Sequence, residues 1–141
     1  FQTNVIDFNQ PLLQMCEQEN IAAILRAPLA MGLLTGKYNL KSRFPDNDIR
    51  GPEAPKAVQY FRHGKPSPEW LNRLDSVRDI LTSKGRTAAQ GAIAWLWAVS
   101  EVMIPIPGFK TPGQVEENIG AMEFGPLDPS QHSEIDSILG R

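Results

Sequence analysis

The stretch Ile104-Pro105-Ile106-Pro107-Gly108-Phe109-Lys110-Thr111-Pro112 carries the end of an apolar run into the start of a helix. Val102 to Ile106 has the β-branched, apolar character of a short strand, and Pro105 to Gly108 ends it. Thr111 followed by Pro112 predicts a helix start. The hydroxyl can accept from a first-turn amide, and a proline there loses nothing because that amide has no helical partner. Gln114, three residues after Thr111, has the spacing of a capping box. A strand that ends, turns on a glycine and enters a capped helix beside a lysine attracts anions, because free amide hydrogens, the helix dipole and Lys110 converge. Gln114, Glu117 and Asn118 share one helix face while Val115, Ile119 and Met122 share another, so the helix can pack and still present polar groups near its start. The residues leave two readings open here: a phosphate-bearing ligand, or an ordinary capped surface helix.

Upstream, the same capping chemistry marks Ser67-Pro68 and Thr87, the latter with Gln90 at capping-box spacing; downstream it marks Asp128-Pro129, opening a helix over about 129–139. Pro68 to Lys84 places Trp70, Leu74, Val77 and Leu81 on one stripe and stops at Lys84-Gly85, as an amphipathic outer helix does. Ala88 to Val99 is apolar almost all round, which predicts a helix sandwiched between other elements, with Gly91 permitting close backbone approach. At the amino-terminal end, Phe1 to Ile6 reads as a strand, Asp7 to Asn20 as a helix through Leu12, Leu13 and Cys16, and Ile21 to Leu25 as a second strand. Continuous rather than alternating apolar runs suit strands covered on both faces. Strands that return through helices predict a parallel sheet covered by helices. Three strands cannot close a barrel; they form part of one, or a small open sheet with exposed edges.

Between Ala27 and Pro66 the chain is crowded with Gly, Pro, Asn and Asp, too long for a plain connection, and the span 39–66 reads as a long loop that is functional or mobile. Its approach, Arg26 to Tyr38, combines small residues, glycines, a hydroxyl and a lysine, so backbone can come close to a diphosphate there. An apolar hairpin entering a long loop explains the same composition. The stretch has neither of the common phosphate-loop spacings.

The totals exclude several classes. With 41% apolar and 21% charged residues, the chain is not disordered or fibrous. Its 16 acidic and 14 basic residues are interspersed, which argues against nucleic-acid binding. Cys16 is the single cysteine, and His63 and His132 are far apart, so neither an internal disulfide nor a metal pair is expected. No apolar run approaches the ~18 residues that span a bilayer and no signal peptide opens the chain, which makes cytoplasmic location and no membrane association the expectation. Position 1 is Phe, and the first residues read like mid-strand, so the chain is expected to begin inside a larger domain.

Three segments, in order and spacing, resemble the aldo-keto reductase family: Ala27-Pro28-Leu29-Ala30-Met31-Gly32-Leu33-Leu34-Thr35-Gly36-Lys37-Tyr38, Arg86-Thr87-Ala88-Ala89-Gln90-Gly91-Ala92-Ile93-Ala94-Trp95-Leu96, and Ile104 to Gly108 continuing through Glu117-Asn118-Ile119-Gly120-Ala121. The resemblance spans nearly all of residues 1–141 and implies an α/β fold, the C-terminal portion of a (β/α)8 TIM barrel with its strands 6, 7 and 8. Such barrels seat phosphates in the loops after strands 7 and 8. It also implies an NADPH-dependent oxidoreductase that reduces aldehyde or ketone carbonyls, with this chain as the cofactor-binding half. Barrels of this type run to about 250 residues, so at least about 110 more are expected upstream. Exposed strand edges lead us to expect self-association or an upstream half-barrel partner.

Carried over by position, the resemblance implies that Gln2 bonds the nicotinamide carboxamide. Pro28, Leu29, Gly32, Leu33, Thr35 and Lys37 match the loop over the cofactor diphosphate. Gly108, Phe109, Lys110 and Thr111 match the segment holding the adenosine ribose and its 2′-phosphate, and Gln114, Glu117 and Asn118 match helix positions contacting that phosphate and the adenine. Two positions depart from the family pattern. Arg26 stands where many members stack an aromatic residue on the nicotinamide; its planar guanidinium can lie over the ring instead. Gln114 stands where many carry an arginine for the 2′-phosphate, leaving Lys110 as the main charge that favours NADP over NAD. The family's catalytic Asp, Tyr, Lys and His belong to the first half of the barrel and match nothing here, so no catalytic residue is assigned; Tyr38 and Tyr60 fall in the long loop and His63 reads as a solvated surface residue. A non-catalytic NADP-binding regulatory protein of the same fold, or a structural relic that binds nothing, are the rival readings.

Overall fold

Helix α3 (Ala88–Val99) is the element around which the others pack. Thr87 accepts from the Gln90 amide at 3.2 Å while the Gln90 side chain accepts from the Thr87 amide at 2.9 Å, so the expected capping box starts it. The computed structural model describes residues 2–53 and 59–141. In order these form α1 (Gln10–Gln18), β1 (Ala23–Leu25), a tight helical turn (Ala30–Thr35), β2 (Phe61–Arg62), β3 (Lys65–Pro66), α2 (Pro68–Thr82), α3, β4 (Met103–Pro105), α4 (Pro112–Phe124) and α5 (Pro129–Leu139).

The architecture is α/β. β1 and β4 pair in parallel, with Ala23 opposite Met103 and Leu25 opposite Pro105. The Ile106 amide continues the ladder to Leu25 O at 3.1 Å. On the far side of β1, Gln2 bridges Arg26, also in parallel, so three chain segments lie side by side in sequence order. The strand expected over residues 1–6 is not formed beyond this bridge, and Phe1 lies outside the described residues. Asn4 is the physical reason. Its side-chain oxygen accepts from the Ile6 amide, and its backbone exchanges two hydrogen bonds with Asp7, closing a turn that replaces the ladder.

Only one face of the sheet is covered. Ala23, Leu25 and Met103 are buried, whereas Ile24, Ile104 and Ile106 are exposed, so the expectation of two covered faces does not hold within this chain. The helices all lie to the buried side. α3 is sandwiched as expected, between β4 and the Ala30–Thr35 turn on one side and α2, α4 and α5 on the others. Gly91 permits this: a Cβ built there would lie 2.2 Å from Leu81 O of α2. Trp95 is fully buried, with the Phe8 ring edge-on at 5.3 Å and His132 stacked at 6.0 Å. The stripe on α2 is likewise inward, with Leu74, Val77 and Leu81 fully buried and Trp70 half-buried.

The span 39–66 is not structureless. β2 and β3 form an antiparallel hairpin whose turn residues His63 and Gly64 have φ of 50° and 70°, the left-handed pair that two-residue hairpin turns require. His63 is exposed at that turn. Among the described residues no helix is long and apolar enough to cross a membrane.

Candidate functional site

Beyond the carboxyl ends of β1 and β4 the chain opens a cleft of about 710 Å³. One wall is the segment after β1, the second is the start of α4 with its preceding turn, and the third is Asn47 to Arg50 from the long span. A parallel sheet places ligands at these strand ends because the loops there diverge and leave a crevice.

The wall after β1 is a run of unusual backbone. Ala27, Ala30 and Met31 have φ of 56°, 48° and 56°, and Gly32 and Gly36 have φ of 91° and 74°. The first three are non-glycine residues in the left-handed region, a conformation that surrounding contacts must hold in place. Thr35 turns its hydroxyl inward, donating to Gly32 O at 2.8 Å. Lys37 is exposed at the cleft, its ammonium 5.0 Å from the centre of the Tyr38 ring.

The α4 wall begins with Thr111 accepting from the Gln114 amide at 3.4 Å. The Gln114 side chain does not close the expected box; its oxygen accepts from the Lys110 amide at 2.6 Å, so part of the helix start is satisfied internally. Lys110 itself is exposed, and among the described residues its ammonium makes no ion pair. The helix is fixed from behind by α3, where Gln90 Nε2 donates to Glu117 O at 3.1 Å.

The third wall was not legible in the sequence. Arg50 donates through Nε and Nη2 to both oxygens of Asp48 at 2.8 and 2.7 Å, and through Nη1 to the Tyr38 hydroxyl at 2.7 Å. Its guanidinium lies 4.2 Å from the Phe44 ring centre. The Arg50 hydrogen bond and charge hold the Asp48 carboxyl well below the usual carboxylate range, with the Lys110 charge adding to the effect. Lys110 and Asp48 thus face each other electrostatically across the cleft.

Of the residues singled out in the sequence, Pro28, Leu29, Gly32, Thr35, Lys37, Gly108, Phe109, Lys110, Gln114, Glu117 and Asn118 line this cleft together. Leu33 is fully buried in the core, and Thr111 stands at the helix cap, outside the cleft lining. Arg26 is exposed beyond the end of β1 and outside the cleft lining. Gln2 is also elsewhere: its amide donates to the Tyr60 hydroxyl at 3.0 Å. That hydroxyl also accepts from Asn4 at 2.9 Å and donates to Asp7 at 2.7 Å. Burial first, then the Asp7 carboxylate, push the Tyr60 phenol up to about 12, so it is a fixed neutral group. Asn47, Asp48, Ile49 and Arg50 line the cleft without having been singled out, and Ala27, Met31 and Tyr38 line it from within the Arg26 to Tyr38 stretch without having been given a role. The Asp48-Ile49-Arg50 pairing was the available signal, but a two-residue spacing in a loop has no periodicity to mark it.

Comparison with known proteins agrees with this geometry. The aldo/keto reductase family profile matches residues 1–140. Aldo-keto reductase yakc, an NADP(+) protein of Schizosaccharomyces pombe, is 33% identical over 112 residues, covering 79% of this chain and 31% of that protein. The chloroplastic pyridoxal reductase of Arabidopsis thaliana is 33% identical over 108 residues, covering 77% and 26%. L-glyceraldehyde 3-phosphate reductase of Escherichia coli is 28% identical over 134 residues, covering 91% and 36%. With parallel strands alternating with helices and a cleft at their carboxyl ends, the chain is of the α/β class whose crevice lies at the strand ends. It belongs to the aldo/keto reductase family. The chain spans about a third of the length of the curated relatives it matches.

Proposed function

We propose that residues 1–141 are the cofactor-binding, C-terminal half of a (β/α)8 barrel in an NADPH-dependent oxidoreductase that reduces aldehyde or ketone carbonyls to alcohols. The observation that carries the reading is the convergence of the left-handed turn after β1 and the Lys110 end of α4 on one cleft of about 710 Å³. The name of the yeast relative, which includes NADP(+), supports the choice of cofactor.

The donor set fits an anionic dinucleotide. Lys37 and Lys110 are exposed cations at separate walls of the cleft, and Gly32 takes a φ of 91° that a residue with a side chain would adopt only under strain. In this reading Lys110 holds the 2′-phosphate, the Pro28 to Lys37 segment lies along the diphosphate, and Glu117 and Asn118 meet the adenosine end. Arg26 and Gln2, at the strand ends, serve the nicotinamide end, Gln2 by turning from Tyr60. A bound nicotinamide supplies hydride to a carbonyl carbon. This chain binds and orients it, while the proton-donating residues belong to the upstream half.

Titrating full-length protein with NADPH and NADH, followed by nicotinamide fluorescence, tests the reading. Lys110→Glu is expected to weaken NADPH about tenfold or more and NADH by much less, because a full charge facing a phosphate is reversed. Equal loss for both cofactors overturns the placement of the 2′-phosphate.

A further inference from the structure

The Asp48–Arg50 pair lines the cleft yet is poorly suited to bind a phosphate. Both side chains are largely covered, Arg50 at 12% and Asp48 at 18% exposure, and one edge of the guanidinium, Nε and Nη2, is met by both oxygens of the carboxylate. Its remaining nitrogen, Nη1, reaches across to the Tyr38 hydroxyl and, at 3.3 Å, to Met31 O. Met31 is one of the left-handed non-glycine residues, and it precedes Gly32, where a Cβ would lie 3.8 Å from the same Nη1. The tie therefore ends on the strained turn itself. A left-handed methionine persists only where tertiary contacts over-determine it, and Arg50 is such a contact arriving from 19 residues away.

We infer that Arg50, oriented by Asp48, is a positioning residue that holds the Ala30–Gly32 turn in the shape that receives the diphosphate of a dinucleotide. The inference rests on the dinucleotide reading of the cleft. It separates two roles by charge: Lys110 meets the 2′-phosphate directly, whereas Arg50 acts through backbone geometry and is blind to whether that phosphate is present. Lysine cannot take the role, because a single ammonium lacks the fork that grips Asp48 and Tyr38 together.

The test uses full-length protein and four probes: NADPH, NADH, 2′-AMP and denaturation midpoint. Arg50→Ala is expected to weaken NADPH and NADH alike, by about tenfold, while 2′-AMP, which has no diphosphate, binds as before. Arg50→Lys is expected to recover little of the loss. Should Arg50→Ala fail to fold, Tyr38→Phe removes one end of the tie and keeps the ring, and is expected to weaken both dinucleotides equally but less. Unchanged affinity in Arg50→Ala, a loss confined to NADPH, or an equal loss of 2′-AMP overturns the positioning role. Wild-type protein that binds neither dinucleotide overturns the cofactor reading, and this inference with it.

Discussion

The two charged walls of the cleft use charge in opposite ways. At the start of α4, Lys110 is exposed and makes no ion pair among the described residues, on a helix anchored from behind by Gln90 of α3. Across the cleft, Arg50 is bonded to Asp48, Tyr38 and Met31 and directs its charge into the protein. The helix wall borrows rigidity from a packed core and can leave its cation free; the loop wall sets its cation on the Tyr38, Phe44 and Phe61 rings and uses it to make shape. An arginine and a lysine facing one cavity need not share a task.

The comparison breaks first where the helix wall is supported. Trp95→Ala empties a fully buried site against Phe8 and His132. It is expected to cost about 3–5 kcal/mol, read from denaturant midpoints at constant slope. Gly91→Ala comes next. Its Cβ would meet Leu81 O at 2.2 Å, so α2 and α3 must separate, at about 1–3 kcal/mol by the same measurement.

A smaller effect sharpens the other side. Tyr60 ties the end of the long span to Asp7 and Asn4, and Tyr60→Phe is expected to cost about 1 kcal/mol. Its pH dependence has a definite sign. The folded phenol is raised to about 12 while an unfolded tyrosine ionises near about 10. The stabilisation is therefore complete below about pH 10 and is lost as pH climbs toward about 12. Tyr60→Phe is expected to flatten that alkaline limb of the stability curve; an unchanged limb contradicts the assignment. Smallest of all is Lys84→Ala. The Lys84–Asp128 pair at 2.6 Å is more than half exposed and touches neither wall, so the denaturation midpoint is expected to stay in place.

What was legible in the sequence follows the reach of the forces involved. Helices α3 and α5 begin and end where expected, because Thr87-Gln90 and Asp128-Pro129 act within one turn. The helix wall and the turn after β1 were likewise read from contiguous residues, and 11 of the residues singled out line one cleft. Gln2, Arg26, Leu33 and Thr111 do not line it: Gln2 is drawn to Tyr60, Leu33 is buried in the core, Thr111 caps its own helix and Arg26 is exposed beyond β1. The first strand was misread because nothing in its apolar residues announces that Asn4 will fold back on Ile6 and Asp7. The loop wall was missed for a related reason. Arg50 gains its role from Tyr38 and Met31, 12 and 19 residues distant, at spacings no periodicity marks.

The most direct test of the central claim is a structure of the full-length protein with NADP bound. The account predicts the 2′-phosphate within hydrogen-bond distance of Lys110 Nζ, the diphosphate along Pro28 to Lys37, and Arg50 still joined to Asp48 and Tyr38. A dinucleotide seated elsewhere, or one whose phosphates lie on Arg50 with Lys110 turned to solvent, contradicts it.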